Sequence, residues 1–217
     1  MLKLECGPED NRETVTIDID TTKKIGLFLS GGLDSTVLLS CMCKDIIAQG
    51  KQPKDVIKYI FNIPKHDGAE LYPPALIDLV RKKFDIELPS MTRVRITQLH
   101  QRFHGQKVWE SILYALDKFD VDQIYLGDQR VNPDLDTTLP VRSQKIEGPM
   151  PGTLFFPFNH TKKSHTIDIM FQLGVEEISN LSHSCTETMT GRCKQCYHCK
   201  ERAWAFEAMD KVDTGNG

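Results

Sequence analysis

The chain has 217 residues, 40% of them apolar, and a formal charge of −3, which fits one globular domain with a sizeable core. Mild acidity argues against tight nonspecific binding to nucleic acid, which calls for a basic face, although a local basic patch stays open. No stretch approaches the length of a membrane span and the first residues lack a charged-then-apolar signal pattern, so a cytoplasmic protein with neither membrane nor direct nucleic-acid partner is expected.

In chain order, Thr14-Val15-Thr16-Ile17-Asp18-Ile19-Asp20 alternates apolar and polar residues and predicts a half-buried strand, either a sheet edge or part of a small hairpin. Residues 1–24 are read as an N-terminal strand extension. Ile25 to Leu29 is a short apolar run that stops at Ser30-Gly31-Gly32, and Val37 to Ile47 resumes with an apolar pattern long enough for a helix. Strand, tight turn and helix follow. Two adjacent glycines allow positive φ and let a ligand approach the main chain with no Cβ in the way. Asp34 and Ser35 stand where helix N-caps are favoured, and the N–H groups of the first turn have no partners within a helix. Together with the helix dipole they predict an anion site.

Further along, Val56 to Ile63 is a β-rich run, and Pro73-Pro74 open an amphipathic helix that reaches Phe84. Val94-Arg95-Ile96 supplies a strand, Lys107 to Phe119 a helix, and Gln123 to Leu126 a strand ending at Gly127-Asp128. Alternating strands and helices argue for a parallel sheet covered on both faces, with ligands beyond the carboxyl ends of its strands. Ser30, Pro64-Lys65-His66 and Gly127-Asp128 fall on that edge. His66 and Asp128 are candidates for the adenine or acceptor pocket, or ordinary loop residues. The stretch 132–152 is rich in proline, glycine and charge without a period, and is either a lid or substrate loop or a surface excursion. Thr161 to Leu173 reads as a last helix, stopped by Gly174 at a C-cap position. The α/β domain thus spans 25–181.

Residues 182–210 form a separate C-terminal segment with a terminal helix. Cys185, Cys193, Cys196 and Cys199 have the spacing C-x7-C-x2-C-x2-C, and four thiolates so close in sequence can close a tetrahedron around one metal. Seven cysteines in all, an odd number, fit thiolate ligation better than a disulfide framework. Zn²⁺ in a closed structural shell is expected, with an iron–sulfur cluster as the rival. Arg192, Lys194, Lys200, Glu201 and Arg202 around the cysteines suggest an exposed setting. Cys41 and Cys43 are read as core residues of the first helix, and Cys6 has no partner pattern.

Ser30-Gly31-Gly32-Leu33-Asp34-Ser35 resembles the SGGxDS motif of the PP-loop ATP pyrophosphatases, which split ATP into AMP and pyrophosphate while adenylating an acceptor oxygen. A Walker loop is ruled out because no Gly-Lys-Ser/Thr follows. With the four-cysteine spacing, Phe156-Pro157-Phe158, Lys163, Gln172-Leu173-Gly174-Val175, Ser184-Cys185, Cys199-Lys200-Glu201-Arg202 and Ala205-Phe206, the chain is similar to the 7-cyano-7-deazaguanine synthases of queuosine biosynthesis. This resemblance implies a doubly wound, mostly parallel, Rossmann-like α/β sheet with a small C-terminal metal-binding segment. It also implies an ATP-dependent carbon–nitrogen ligase whose partners are 7-carboxy-7-deazaguanine and ammonia, and it is compatible with a homodimer. Leu29, Ser30, Gly31, Gly32, Leu33, Asp34, Ser35 and Thr36 would cradle ATP. Asp34 would be a Mg²⁺ ligand or cap its own helix. Lys163 would offset charge on the α-phosphate or the carboxylate, or else be a solvated lysine. The middle of the chain departs from the family pattern at 62–68, 103–107 and 128–134, stretches expected to face the acceptor. The alternatives are a PP-loop adenylating enzyme with another acceptor, amide-forming or tRNA-modifying, and a catalytically silent nucleotide-binding protein.

Overall fold

The computed structural model describes residues 1–63, 72–94, 104–132, 135 and 153–215. The chain opens with an antiparallel hairpin of β1 (Leu2–Cys6) and β2 (Glu13–Ile17), in which Leu2 faces Ile17 and Leu4 faces Val15. Of the two arrangements open to Thr14–Asp20, the hairpin is thus the one formed. Its partner Leu2–Cys6 also alternates, and its apolar side, with Val15 and Ile17, joins the main core.

The central sheet is parallel throughout. Its strands are β3 (Ile25–Phe28), β4 (Ile57–Asn62), β5 (Met91–Arg93), β6 (Gln123–Tyr125) and β7 (Leu154–Phe155), in the spatial order β5-β4-β3-β6-β7. Between them run α1 (Leu33–Ala48), the single turn α2 (Pro53–Val56), α3 (Tyr72–Phe84) and α4 (His104–Lys118). After β7 come α5 (Lys163–Gln172), the single turn α6 (Ile178–Leu181) and α7 (Tyr197–Ala208). The third strand lies slightly before its expected place: Met91–Arg93 pairs with β4, and Val94 adds one more bond to the Asn62 carbonyl, while 95–96 lie outside the described residues. Strand β7 has only two residues and is recognisable by its pairing with Ile124 and Tyr125.

Both faces of the sheet are buried, as a parallel sheet requires. Ile25 and Leu27 of β3, Ile57 and Ile60 of β4 and Tyr125 of β6 enter one core, together with α1, α3 and α5. The alternate residues Phe28, Phe61, Ile124 and Leu126 enter a second core with Val94, Ile112 and Ala115, which α4 covers. Period-two burial on both sides of one sheet explains why its strands read as short continuous apolar runs. Cys41 and Cys43 are fully buried in α1, and burial raises both thiol pKa values, consistent with packing. This is a doubly wound α/β fold. Its strand order reverses between β3 and β6, and the crevice outside their carboxyl ends is where such sheets bind ligands.

Candidate functional site

The turn after β3 is shaped by its glycines and hydroxyls. Leu29 still bonds to the sheet through its N–H to the Phe61 carbonyl (2.8 Å), and then Gly31 takes φ +82°, a backbone conformation that side chains resist. Gly32 precedes α1 with extended dihedrals and no side-chain cap. Asp34 and Ser35 therefore lie inside the first turn, two and three residues past the cap position rather than at it. Ser35 instead ties the turn together: its Oγ accepts from the Ser30 N–H (3.2 Å) and lies 3.2 Å from Ser30 Oγ. Gly32 N–H donates to Ser30 Oγ (3.2 Å), and the Thr36 hydroxyl donates to the Gly32 carbonyl (2.9 Å). These bonds shape the loop around the start of a sixteen-residue helix, whose first N–H groups have no carbonyl partners within the helix.

Gly127, at the end of β6, packs directly on this turn. A Cβ there would stand 2.9 Å from both N and Cα of Ser35 and 3.1 Å from the Asp34 carbonyl carbon. Only glycine permits that approach. Beside this contact lies an open cleft of about 170 Å³, whose lining includes Leu29, Ser30, Gly32, Asp34 and Ser35 of the turn, Leu126, Gly127 and Asp128 after β6, and Lys163, Ser184 and His198. Leu33 and Thr36 are buried beneath the loop, as part of its foundation. Pro64-Lys65-His66 and nearly all of 132–152 lie outside the described residues.

Lys163 begins α5 and is only 3% exposed, not a solvated lysine. Its ammonium donates to Asp34 Oδ2 and lies 3.4 Å from Glu201 Oε2. Burial alone would lower the Lys163 pKa, but the two carboxylates outweigh it and hold it above the ordinary lysine value. Asp34 is thus engaged by a lysine rather than by its own helix, and its Oδ1 is buried without a hydrogen-bond partner among the described residues. Such an atom is suited to a hard cation.

Glu201 was hidden in the sequence among charged neighbours that suggested an exposed helix. It is 5% exposed, and burial raises its pKa against the opposing pull of Lys163. The Tyr197 hydroxyl donates to Glu201 Oε1 (3.0 Å) and accepts from the Asn132 N–H (3.2 Å). The neighbouring Arg202 is fully buried, bound to the Ser179 and Ser182 carbonyls and to Asp213, which also pairs with Arg192.

The four cysteines converge. Sγ atoms of Cys185, Cys193, Cys196 and Cys199 all lie within 4.8 Å of one another, with Cys193–Cys199 and Cys185–Cys196 at 4.0 Å. Tetrahedral Zn²⁺ with Zn–S bonds of ~2.3 Å needs its sulfurs about 3.8 Å apart, so the donor set fits one such ion. A multi-iron cluster has a wider shell and would require these sulfurs to spread. Cys193 Sγ accepts from the N–H groups of Gln195 (3.5 Å) and Cys196 (3.2 Å), and Cys185 Sγ from Glu187 N–H (3.4 Å) and Thr188 hydroxyl (3.2 Å). Burial opposes ionisation of Cys185, but these donors bring its pKa down to about 5. Cys196 caps α7 and Cys199 lies in its first turn. The cluster thereby anchors the helix that carries Tyr197, His198 and Glu201. Just before Cys185, the His183 N–H donates to the Gly31 carbonyl (2.9 Å) and the His183 ring stacks on Tyr72 at 4.7 Å. The cysteine segment and the turn after β3 are one connected structure.

No helix among the described residues is long and apolar enough to cross a membrane. No protein-family model matches the sequence, and no curated protein matches it. Among solved structures, the chain is similar to NMN synthetase from Francisella tularensis at 13% identity, with 88% of this chain and 78% of that one covered and a TM-score of 0.44. It is also similar to Candida glabrata FMN adenylyltransferase in complex with FAD and inorganic pyrophosphate, at 15% identity over 90% of this chain and 67% of that one, with a TM-score of 0.38.

Proposed function

We propose that the chain is an ATP-dependent enzyme of the PP-loop type that transfers the adenylyl group of ATP to a small acid, and that its acceptor is 7-carboxy-7-deazaguanine. The reading is carried by one observation: a hydroxyl-pinned, two-glycine turn at the carboxyl end of the central strand shares its cleft with a buried lysine–carboxylate pair.

In this reading the Ser30 and Ser35 hydroxyls and the backbone N–H groups of the turn hold the β- and γ-phosphates, which depart together as pyrophosphate. Fixed donors of this kind act without reorganising as charge moves onto the leaving group. Lys163 has three N–H donors, two of them turned to Asp34 and Glu201, and the third is available to an α-phosphate oxygen. Mg²⁺ bound with ATP would neutralise phosphate charge, and Asp34 Oδ1 is the atom suited to hold it. The acceptor carboxylate attacks the α-phosphorus, and the P–O bond to pyrophosphate breaks. Ammonia then displaces AMP from the acyl-adenylate, giving the amide and releasing a proton. A second ATP adenylates the amide oxygen; loss of AMP with the nitrogen's protons leaves the nitrile. The four cysteines would hold a structural Zn²⁺, since a closed four-sulfur shell has no open position for a substrate.

An acceptor screen read by mass spectrometry tests this proposal. Nitrile formed from 7-carboxy-7-deazaguanine, ammonia and ATP, and abolished in Asp34→Ala, is the expected result. Turnover with a different acid alone would retain the cradle and remove the substrate assignment, and the stretches at 62–68, 103–107 and 128–134 are where the acceptor would then be read.

A further inference from the structure

Among the described residues, Glu201 is the one buried acid near the cleft to which the proposed chemistry gives no task. It sits on α7, two residues after Cys199 and four after Tyr197, and the cysteine cluster fixes the start of that helix. One of its oxygens receives the Tyr197 hydroxyl at 3.0 Å, and the other faces the Lys163 ammonium at 3.4 Å. Beyond Lys163 stands Asp34, held by Oδ2 and leaving Oδ1 unpartnered among the described residues. Four groups on three separate stretches of chain form a line from the cysteine centre to the cleft.

We infer that Glu201 is a positioning residue for the nucleotide site: by pairing with Lys163, it keeps the ammonium on a single oxygen of Asp34 and leaves Oδ1 free for the magnesium that accompanies ATP. The inference rests on the reading of the cleft as an ATP site. Its physical basis is the balance of charge around a buried ammonium. With two carboxylates against it, Lys163 is satisfied by one oxygen from each. With one carboxylate alone, a desolvated ammonium is drawn onto both oxygens of that partner, because an unbalanced buried charge is costly. Asp34 would then be closed to a second cation. Glu201 does not touch substrate; its effect passes through Lys163.

The test is the linkage between Mg²⁺ and ATP, measured by titration calorimetry in chelator-free buffer with and without Mg²⁺, so that the cysteine centre keeps its metal. In the native protein Mg²⁺ should tighten ATP binding. In Glu201→Gln, which keeps a polar partner for Tyr197 and removes the charge, that enhancement should fall about tenfold, the equivalent of one pKa unit of charge interaction. Binding of metal-free ATP should change little, and zinc content and melting temperature should stay near native. Glu201→Asp should restore part of the enhancement. A merely structural role would weaken both forms of ATP alike, so an unchanged ratio in Glu201→Gln overturns the inference while leaving the ATP reading intact. Absence of ATP binding by the native protein overturns both. If Glu201→Gln fails to fold, Tyr197→Phe removes the other restraint on Glu201; a smaller loss of the same ratio is expected there, and an unchanged ratio again overturns the inference.

Discussion

Gly127→Ala offers a sharp test of how the cleft is built. The added Cβ would sit 2.9 Å from two backbone atoms of Ser35, about 0.6 Å inside the ~3.5 Å closest approach of unbonded heavy atoms. Neither atom can rotate away, so the end of β6 or the first turn of α1 must move by roughly half an ångström. Forced overpacking of this kind costs about 1–3 kcal/mol. Displacing the proposed phosphate-binding turn by half of the ~1 Å shift that costs about a hundredfold in rate should lower turnover about tenfold. Gly50→Ala is the control: its φ of +71° resists a side chain, but nothing lies within 4 Å of the new Cβ, and Gly50 is remote from the cleft. It should cost about 1 kcal/mol through backbone strain alone and leave ATP affinity native. Urea unfolding and calorimetric ATP titration on both variants provide the comparison. Native ATP affinity and native stability in Gly127→Ala would refute the argument that this glycine sets the turn.

Purified protein should carry about one Zn²⁺ per chain, measurable by plasma emission spectrometry. Cys185→Ser should lose the metal and lower stability by less than the ~10–16 kcal/mol of isolated zinc-finger peptides, because α7 also packs through Arg202 and Phe206. A brown protein with iron and sulfide would contradict the single-ion shell. Asp213→Asn should destabilise by about 3 kcal/mol at pH 7, read by urea melts, since two arginines lose their shared carboxylate. Burial tends to raise the Asp213 pKa, but Arg202 and Arg192 bring it below the unfolded value. Its contribution is therefore fully present above the unfolded carboxylate pKa of ~3.9 and is lost as pH falls through the lower folded value, so native and variant stabilities should converge only as the pH is taken below the unfolded pKa.

The parts of the site that were legible in the sequence are those written in short segments. Ser30 to Ser35 sits between two apolar runs, and the cysteines lie within fifteen residues of one another, so local spacing carries the signal. Lys163 is named by its place after Phe156-Pro157-Phe158, but its burial depends on Asp34 and Glu201, which approach from distant stretches of chain. Glu201 and Arg202 look like the polar side of an exposed helix, because pairing across tertiary structure leaves no periodic mark. Strand β7 was illegible for another reason: a two-residue strand has no period, and its only definition is the neighbour it bonds. The cap at Gly32 in place of Asp34 follows from the same effect, since Lys163 engages the aspartate that local preference would have used for capping.

The central claim concerns which bond of ATP is broken. Phosphorus NMR of ATP incubated with the protein, Mg²⁺, ammonia and 7-carboxy-7-deazaguanine reads this directly. The account predicts AMP and pyrophosphate, two of each for every nitrile formed; ADP and inorganic phosphate would contradict it.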